Sequence, residues 1–530
     1  MIPRPVPRSP RTPRSPGSRR TFRTVAAAVL AATSLALTAC GAVTSGTSTG
    51  AEEDSSLVIG ISRKLTSIDP AQGGSLDGDA TLARAIYSGL TYYDPELELR
   101  GELAESWTQD DDTHWTFVLR DGVTWSDGSP FTAEQVVWNF QRFLDPESTL
   151  GNAAAIRAII SGVTAPDEGT VVIETNGPFI DLPDRLAHFF LVNPDFVQAH
   201  PDELVALGTG PYVLESVDLE NGAVLTRNPG YFGEAPEWER VEYRVLETEA
   251  ARVQAAQAEE IDVAIQYEPA SLELFAGSDV YDTGNQWSSW NNTLRINENV
   301  APLDDVRVRQ ALNYAIDKEA LIRDVVGADV EPLAGQVLSA PYDRINPDLA
   351  AYPYDPERAR QLLAEAGHAD GVTIELGLST GSYVAQDPVS QAIARQLGEV
   401  GITVEITNQS FPNWVERTRS AEDAPALYYI GYTAGYRAPA ERLRIYTSGN
   451  GQSHYAEPDA VYDDLVTQVT AATTPEQQQE LVNRATAHYR EQAHAVFLWP
   501  QPLTYVVRKD LEWTPRPEHW LVPQEFRSRS

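Results

Sequence analysis

The sequence predicts an α/β fold, and two observations support this prediction. From residue 57 onward the chain alternates short β-rich runs with amphipathic stretches of helical periodicity. Further along, the β-rich runs 372–376 and 402–406 flank a helix that begins near Pro388. Because a strand–helix–strand order joins parallel strands, this part should contain parallel strands. With 530 residues, 42% of them hydrophobic, the chain is long enough for about two to four domains with substantial cores.

Local signals place the first elements in order, starting with a strand at 57–61. Apolar residues then recur at helical spacing between Leu82 and Leu90, which predicts a helix with one buried face. The run 115–119 alternates apolar and polar residues as a strand does. Thr132 and Gln135 form a capping-box pattern, which predicts that a helix follows them.

Later helices have equally clear boundaries. The pair Asp355–Pro356 is typical of an N-cap followed by the first helical residue, and Gly367 is expected to end that helix. The pair Thr474–Pro475 predicts the start of a long helix that runs to about Ala493. Asp305 is expected to cap a helix whose arginines lie along its outer face.

The N-terminus has the composition of an export signal. Residues 1–39 contain seven Arg and no acidic residue, and the apolar run Val25–Leu37 lies within them. A membrane-spanning helix needs about 20 apolar residues, so this shorter run predicts a signal peptide. Residues 40–56 are rich in Gly, Ser and Thr and are predicted to form a flexible tether.

Cys40, the only cysteine of the chain, follows the apolar run directly. A single cysteine excludes disulfides within the chain and a cysteine-rich metal site. The segment Leu37-Thr38-Ala39-Cys40 resembles the bacterial lipobox, and the resemblance implies that Cys40 becomes the lipid-bearing first residue of the mature protein. The alternative is an ordinary small residue in a cleavage region. The segment 18–23 is also similar to the twin-arginine export motif, with general secretion as the alternative.

The charge of the chain is strongly uneven. Beyond residue 39, 33 basic residues stand against 76 acidic ones, a balance of −43. Such a surface repels phosphate backbones and therefore argues against nucleic-acid binding. Solubility is the simpler explanation of the charge, and attraction of a cationic ligand is the alternative.

Several sequence blocks carry a family resemblance. In chain order they are 68–71, 86–90, 103–107, 117–123, 125–134, 208–212, 305–312 and 354–359. Together they resemble the family 5 solute-binding proteins, which are the extracytoplasmic receptors of peptide-type and nickel-type ABC importers. Most of these blocks also have a structural explanation as turns and helix caps, so they indicate the fold more than the ligand.

The resemblance implies a two-lobed periplasmic-binding-protein type II (cluster C) fold. Lobe I would comprise residues 57–292 and 497–530, with an extra subdomain at about 90–205, and lobe II residues 293–496. The hinge crossovers would lie near Asn292–Asn297 and Phe497–Pro500. The implied function is capture of a polar solute between the lobes and its delivery to an ABC permease with ATPase subunits. The implied receptor is a monomer, tethered by lipid to the extracytoplasmic face of the bacterial cell membrane.

Candidate ligand contacts are mostly aromatic residues near the expected cleft, because rigid amphipathic rings suit such a surface. For the aromatic candidates the alternative is packing. The candidates are Trp287, Trp290, Asn291, Tyr383, Trp414, Tyr432, Tyr436 and Arg437.

The ligand class follows from the family rather than from a complete motif. In peptide-binding relatives an aspartate that holds the peptide ammonium occupies the position matching Gly435, and the segment 379–387 lacks the arginine that dipeptide receptors use. A short peptide is the prediction from the family, and an oligosaccharide or another non-peptide solute is the alternative.

An enzymatic function is not expected. Residues 377–381 match the G-x-S-x-G pattern around Ser379, and His454 or His494 could complete a triad. That pattern requires a helix immediately after the serine, whereas the next predicted helix begins near Pro388. The eight His are scattered along the chain, so no metal site is predicted among the side chains, and no cofactor is predicted. Uptake of a metal chelate stays an alternative, because the resemblance includes nickel-type receptors, which bind metal through a chelator as well as through His.

Overall fold

The computed structural model describes residues 55–72, 78–201, 204–339, 344–432, 437–448 and 458–529. The predicted signal peptide, Cys40 and Tyr436 lie outside the described residues. No helix in these ranges is both long enough and apolar enough to span a bilayer.

The strands of the described residues form three sheets of four or more strands and two antiparallel two-stranded pairs. The strands are β1 Ser56–Ile61, β2 Thr91–Tyr93, β3 Leu99–Gly101, β4 Ala104–Gln109, β5 His114–Leu119, β6 Ile160–Asp167, β7 Thr170–Thr175, β8 Tyr212–Asp218, β9 Gly222–Arg227, β10 Arg240–Val245, β11 Val263–Ile265, β12 Tyr281–Gln286, β13 Asn291–Ile296, β14 Val372–Ser379, β15 Ile402–Gln409, β16 Leu427–Tyr432, β17 Ala495–Pro500, β18 Leu503–Arg508, β19 Leu511–Glu512 and β20 Arg527–Ser528.

Helices cover the sheets and connect their strands. The α-helices are α1 Gly78–Ile86, α2 Ala133–Leu144, α3 Ala153–Ile159, α4 Leu182–Leu186, α5 Pro194–Ala199, α6 Glu249–Gln257, α7 Pro269–Leu272, α8 Val306–Ala315, α9 Lys318–Leu321, α10 Pro356–Glu365, α11 Gln386–Glu399, α12 Phe411–Arg417, α13 Pro439–Arg444, α14 Ala460–Thr470 and α15 Pro475–Glu491. Three further helical segments are Glu273–Phe275, Ile322–Val326 and Pro523–Glu525.

Two large sheets organise the described chain. The first has seven strands in the order β12-β18-β11-β1-β10-β9-β8, and β1 lies at its centre, parallel to β10 and β11. The second has five strands in the order β15-β14-β16-β13-β17. In it, β14 and β15 are parallel and joined by α11, which confirms the predicted strand–helix–strand unit. A separate antiparallel sheet, β4-β5-β7-β6, shares a core with α2 and α3.

The predicted helix boundaries are confirmed by their hydrogen bonds. The Gln135 side-chain oxygen accepts a hydrogen bond from the Thr132 backbone N–H at 3.0 Å. Asp355 Oδ1 accepts one from the Arg358 backbone N–H at 2.9 Å. Gly367 follows α10 with φ of +91°, a conformation that favours glycine.

The arginines after Asp305 behave differently from one another. Asp305 caps α8 as predicted, through a hydrogen bond from the Arg307 backbone N–H at 2.8 Å. Arg307 is exposed, but Arg309 is 4% exposed and pairs with buried Glu298 at 3.3 Å. The prediction that the arginines lie on the outer face is therefore wrong for Arg309, because its side chain turns towards the end of β13.

The chain passes between the two large sheets at two places. It leaves the seven-stranded sheet at Gln286 and enters the five-stranded sheet at Asn291, then returns between Pro500 and Leu503. The crossing segments are therefore 287–290 and 501–502. We refer to the described residues of 55–286 and 503–529 as the seven-stranded half, and to those of 291–500 as the five-stranded half.

The crossovers predicted at Asn292–Asn297 and Phe497–Pro500 lie largely within β13 and β17 instead. The family resemblance implied a crossover here, yet every residue of β13 is buried because that strand lies between β16 and β17. Polar residues can occupy a central strand when the tertiary structure surrounds them, and composition does not reveal this.

Candidate functional site

The two crossing segments lie side by side and are bonded to each other. The Gln501 backbone N–H donates to the Trp290 carbonyl at 2.6 Å, and the Ser288 hydroxyl donates to the Gln501 carbonyl. The C-terminal segment covers them, because the Ser289 backbone N–H donates to the Pro517 carbonyl at 2.9 Å. The crossing region is thus a defined structure rather than a loose linker.

Trp290 lies at the centre of this region and is 5% exposed. Its indole stacks on the His519 imidazole with ring centroids 5.0 Å apart. The Arg63 guanidinium carbon lies 5.9 Å from the centroid of the Trp290 ring. Trp287, on the same segment, is half-buried.

Asn291 and Asn292 begin β13 and are 1% and 0% exposed. The Asn291 amide nitrogen donates to the Val337 carbonyl at 2.7 Å. Across the ladder, Asn291 faces Tyr432 of β16, whose carbonyl accepts a hydrogen bond from the Arg442 guanidinium at 2.9 Å. The structure therefore brings Trp290, Asn291 and Tyr432 together.

Gly431 makes room for two further side chains on the opposite face of β16. A Cβ atom at Gly431 would lie 2.6 Å from Asn292 Oδ1 and 2.8 Å from Tyr383 Cε1. The Tyr383 ring in turn lies 5.4 Å from the Tyr429 ring, centroid to centroid. Burial raises the pKa of Tyr383, so its hydroxyl is protonated at neutral pH.

The strongest feature of this region is a set of buried polar atoms for which the described residues offer no hydrogen-bond partner. They are Trp287 Nε1, Trp290 Nε1, Asn291 Oδ1, Asn292 Oδ1, Asn292 Nδ2, Tyr429 Oη and Gln501 Oε1. A buried polar atom without a partner costs about 1–3 kcal/mol, and most such atoms in native proteins are bonded to protein or to water. Their concentration on the crossing segments and adjoining strands points to a polar ligand surface that combines neutral donors and acceptors.

Two of the sequence-predicted residues do not join this group. Trp414 is 7% exposed and packs against Tyr428, with ring centroids 5.9 Å apart, in a small cluster with Ala424. Arg437 instead reaches the seven-stranded half. Its backbone N–H donates to the Tyr93 hydroxyl at 3.1 Å, and its guanidinium donates to the Leu97 carbonyl.

Sequence reasoning missed Asn292, Tyr429, Gly431 and Gln501. The consecutive asparagines at 291 and 292 were the one available signal, since polar residues in a buried strand often carry function. Tyr429 and Gln501 have no distinctive local pattern.

The alternative site at Ser379 lacks the geometry of a nucleophile. Ser379 is 0% exposed, and its Oγ lies 2.6 Å from Ser382 Oγ in a hydrogen bond. The next helix begins only at Gln386, and His494 bonds to Glu298 and Asp459. In the described ranges, no three His, Cys, Asp or Glu side chains are grouped so that they could hold a metal ion.

A family model of bacterial extracellular solute-binding proteins, family 5, matches residues 98–454. The chain belongs to this family. It is 30% identical to the glutathione-binding protein GsiB of Shigella dysenteriae over 417 residues, which cover 75% of this chain and 78% of the relative. It is also 30% identical to GsiB of Escherichia coli over 397 residues, 71% of this chain and 75% of that protein.

Solved structures show the same fold. The substrate-binding protein CtaP of Listeria monocytogenes superposes with a TM-score of 0.81 at 20% identity, covering 89% of this chain and 99% of that one. NikA of Brucella suis in complex with Fe(III)-EDTA superposes with a TM-score of 0.80 at 22% identity, covering 89% of this chain and 100% of that one. DppA of Helicobacter pylori in complex with the peptide STSA superposes with a TM-score of 0.77 at 19% identity, covering 90% of this chain and 98% of that one. The predicted two-lobed type II fold is confirmed, and the chain is a substrate-binding protein of the ABC-importer type.

Proposed function

We infer that this protein captures short peptides in the cleft between its two halves and delivers them to an ABC permease with its ATPase subunits. The observation that supports a peptide is the Asn292 side chain, which is fully buried with both amide atoms unpartnered among the described residues. An asparagine amide offers one donor group and one acceptor, so it can pair reciprocally with a peptide group of the ligand.

The neighbouring atoms fit the same ligand. Asn291 Oδ1 and Gln501 Oε1 can accept hydrogen bonds from ligand N–H groups, and the indole N–H groups of Trp287 and Trp290 can donate to ligand carbonyls. The relatives named for glutathione and the structure with bound STSA show that such ligands occur in proteins similar to this one. With Gly435 in the position of the ammonium-binding aspartate, we expect recognition through the internal amides of the peptide rather than through its charged ends.

The two halves would be the lobes of the receptor, with the predicted boundaries 57–292, 293–496 and 497–530 displaced by a few residues to the crossing segments. We further propose that the signal peptide 1–39 directs export and that lipid on Cys40 tethers a monomeric receptor to the outer face of the cell membrane. The extracellular location of the family supports this placement.

A ligand screen tests the proposal. Purified full-length protein is heated with tri- and tetrapeptides, glutathione and neutral oligosaccharides, and the melting temperature is compared with that of the free protein. Binding to the folded state alone raises the melting temperature. We expect at least one peptide to raise it. A rise with an oligosaccharide and with no peptide would show that the ligand class is wrong.

A pair of asparagine variants tests the site. Asn292→Ala should weaken binding of the responding peptide about tenfold or more, because a buried partner of the ligand is lost. Asn297→Ala is the matched control, since the Asn297 amide nitrogen is already bonded to the Ala421 carbonyl at 2.8 Å. Equal affinities of the two variants, measured by calorimetry, would remove Asn292 from the site.

A further inference from the structure

A second set of contacts joins the two halves away from the crossing segments. Asp181 precedes α4 in the seven-stranded half and is 3% exposed, whereas Gln478 lies on α15 in the five-stranded half and is 1% exposed. The Gln478 amide nitrogen donates to Asp181 Oδ2 at 2.7 Å across 297 residues of sequence. The other atom of the same amide, Gln478 Oε1, accepts from the Arg344 guanidinium at 2.8 Å. Both polar atoms of the Gln478 side chain are therefore bonded.

A parallel chain of hydrogen bonds crosses the same boundary. The Tyr93 hydroxyl donates to Asp184 Oδ1 at 2.7 Å and accepts from the Arg437 backbone N–H at 3.1 Å. Tyr93 and Asp184 belong to the seven-stranded half, and Arg437 to the five-stranded half. Two independent polar links thus connect the halves through the region of α4 and β2.

These links are specific to the arrangement in which the halves touch. In the described chain the halves are joined covalently only at 287–290 and 501–502, so a rotation at those segments would separate Gln478 from Asp181. Contacts made in one state and absent from the other shift the equilibrium by their difference in free energy. The links therefore favour the closed arrangement.

We propose that Asp181 and Gln478 form a latch that holds the cleft closed, and that closing the cleft takes up a proton at the Asp181 carboxyl group. Asp181 and Gln478 are positioning residues, since they act on the lobes and not on the solute. The proposal rests on the proposed function only in requiring that the halves open and close.

The charges around Asp181 explain the proton uptake. Burial raises the pKa of Asp181 to about 7, and the Asp184 and Glu441 carboxylates add to this rise, whereas the Gln478 hydrogen bond and the Arg344 charge oppose it. Burial also raises the pKa of neighbouring Asp184. In an open cleft the Asp181 carboxyl would be hydrated, and its pKa would return towards about 3.9. Between these two values the closed state holds the additional proton, so closure becomes less favourable as the pH rises.

Labels on opposite halves can report closure without any solute. In a full-length Cys40→Ser chain, exposed Glu147 and Glu476 are replaced by cysteine and carry a fluorescent donor and acceptor. Single-molecule energy transfer then gives the ratio of closed to open molecules at pH 7.5 and pH 5.5. We expect this ratio to rise on acidification, by at most about tenfold per pH unit for one proton.

Three variants decide the proposal. Asp181→Asn should be largely closed at both pH values, because its neutral amide oxygen can still accept from Gln478. Gln478→Met should lower the closed fraction at both values. Asp262→Asn is the matched control, since Asp262 is a half-buried carboxyl whose pKa is also raised by burial but which bonds within its own half, to the Val58 backbone N–H at 2.6 Å and to Arg508 at 3.1 Å.

Asp262→Asn should therefore respond to pH as the wild type does. An unchanged pH response in Asp181→Asn, or a wild-type closed fraction in Gln478→Met, would overturn the latch; circular dichroism confirms that each variant is folded. Because no solute is added, this result is independent of whether the ligand is a peptide.

Discussion

Two buried polar clusters lie at opposite ends of β13 and differ in how their atoms are paired. At the start of the strand, Asn292 has no partner among the described residues for either amide atom. Just beyond its end, Glu298 accepts hydrogen bonds from His494 at 2.6 Å and lies 3.3 Å from the Arg309 guanidinium. The second ring nitrogen of His494 bonds to Asp459 at 3.0 Å.

The second cluster is complete within the protein. Two carboxylates, one guanidinium and two imidazoles are linked in it, because Asp459 bonds to His488 at 2.7 Å as well as to His494. Asp459 also caps α14 through the Tyr462 backbone N–H at 3.0 Å. A buried charge is tolerated when it is paired in this way, and removing one partner leaves the other uncompensated. The comparison teaches that polarity in a buried strand has two meanings. Paired groups stabilise the fold, whereas the unpartnered atoms of Asn292 are the ones that we propose bind the ligand.

The largest effect should come from breaking the paired cluster. Arg309→Met leaves buried Glu298 without its guanidinium partner and should lower the free energy of unfolding by about 3–5 kcal/mol. Urea denaturation measures this change. The matched control is Arg323→Met, which removes an exposed ion pair with Asp324 and should lower the free energy of unfolding by less than about 1 kcal/mol. Equal effects of the two variants would show that the cluster is not structural.

A smaller effect should come from filling the space above Gly431. In Gly431→Ala the new methyl group would clash with Asn292 and Tyr383. We therefore expect the free energy of unfolding to fall by about 1–3 kcal/mol and ligand binding to be lost. Gly398→Ala is the control, because no atom lies within 4 Å of a Cβ at that position of α11. In that control the free energy of unfolding should rise by about 0.5–1 kcal/mol, because alanine has a higher helix propensity than glycine. A Gly431→Ala protein of unchanged stability would show that the site can relax.

The paired cluster should also make stability depend on pH. Burial lowers the pKa of His494, but hydrogen bonds to Asp459 and Glu298 and the Glu298 charge outweigh burial and raise it overall. The stabilisation is therefore fully present below the unfolded pKa of about 6.5 and is lost as the pH rises through the folded value. The loss should be smaller than for Arg309→Met, because the neutral ring keeps one of its two donor bonds. His494→Gln should flatten this dependence in denaturation curves measured from pH 6 to 9, and a wild-type slope would contradict the assignment.

The smallest change in stability should follow removal of an unpaired group. Asn292→Ala loses no hydrogen bond within the described protein, and the relief of two unpartnered atoms offsets the packing lost with the side chain, so the free energy of unfolding should change by less than about 1 kcal/mol. Asn297→Ala loses its hydrogen bonds to the Ala421 and Ala424 carbonyls, so its free energy of unfolding should fall by about 1–3 kcal/mol. Denaturation of both variants without ligand tests the comparison directly. If Asn292→Ala is the more damaging variant, its amide has a structural partner.

The correct predictions concerned contacts between residues close in sequence. The caps at Thr132, Asp305 and Asp355 depend on a side chain and a backbone N–H at most three residues away. The predictions that failed concerned distant contacts. Arg309 is buried because the segment 298–305 folds back over it and the end of α15 accepts its guanidinium N–H groups, which helical periodicity does not indicate.

The candidate site shows the same limit. Trp290 and Asn291 could be proposed from their position before an expected hinge, and Tyr432 as an aromatic residue near the expected cleft. The structure does bring the three together. Trp414 was also an aromatic candidate, yet it lies on α12 and packs with Tyr428 and Ala424 in a separate cluster. Gln501 and Tyr429 join the site through pairings of β13 with its neighbours, which have no counterpart in local sequence.

The sequence by itself determined the family resemblance, the acidic character of the chain beyond residue 39 and most helix boundaries, and it predicted an export signal that ends at Cys40. These properties depend on composition or on neighbours along the chain. Only the tertiary structure decided where the chain crosses between the sheets, which buried polar atoms are paired, and that Asp181 meets Gln478. The physical reason is that such pairings join residues as far as 297 positions apart, and their strength depends on burial that arises only when the two halves are folded against each other.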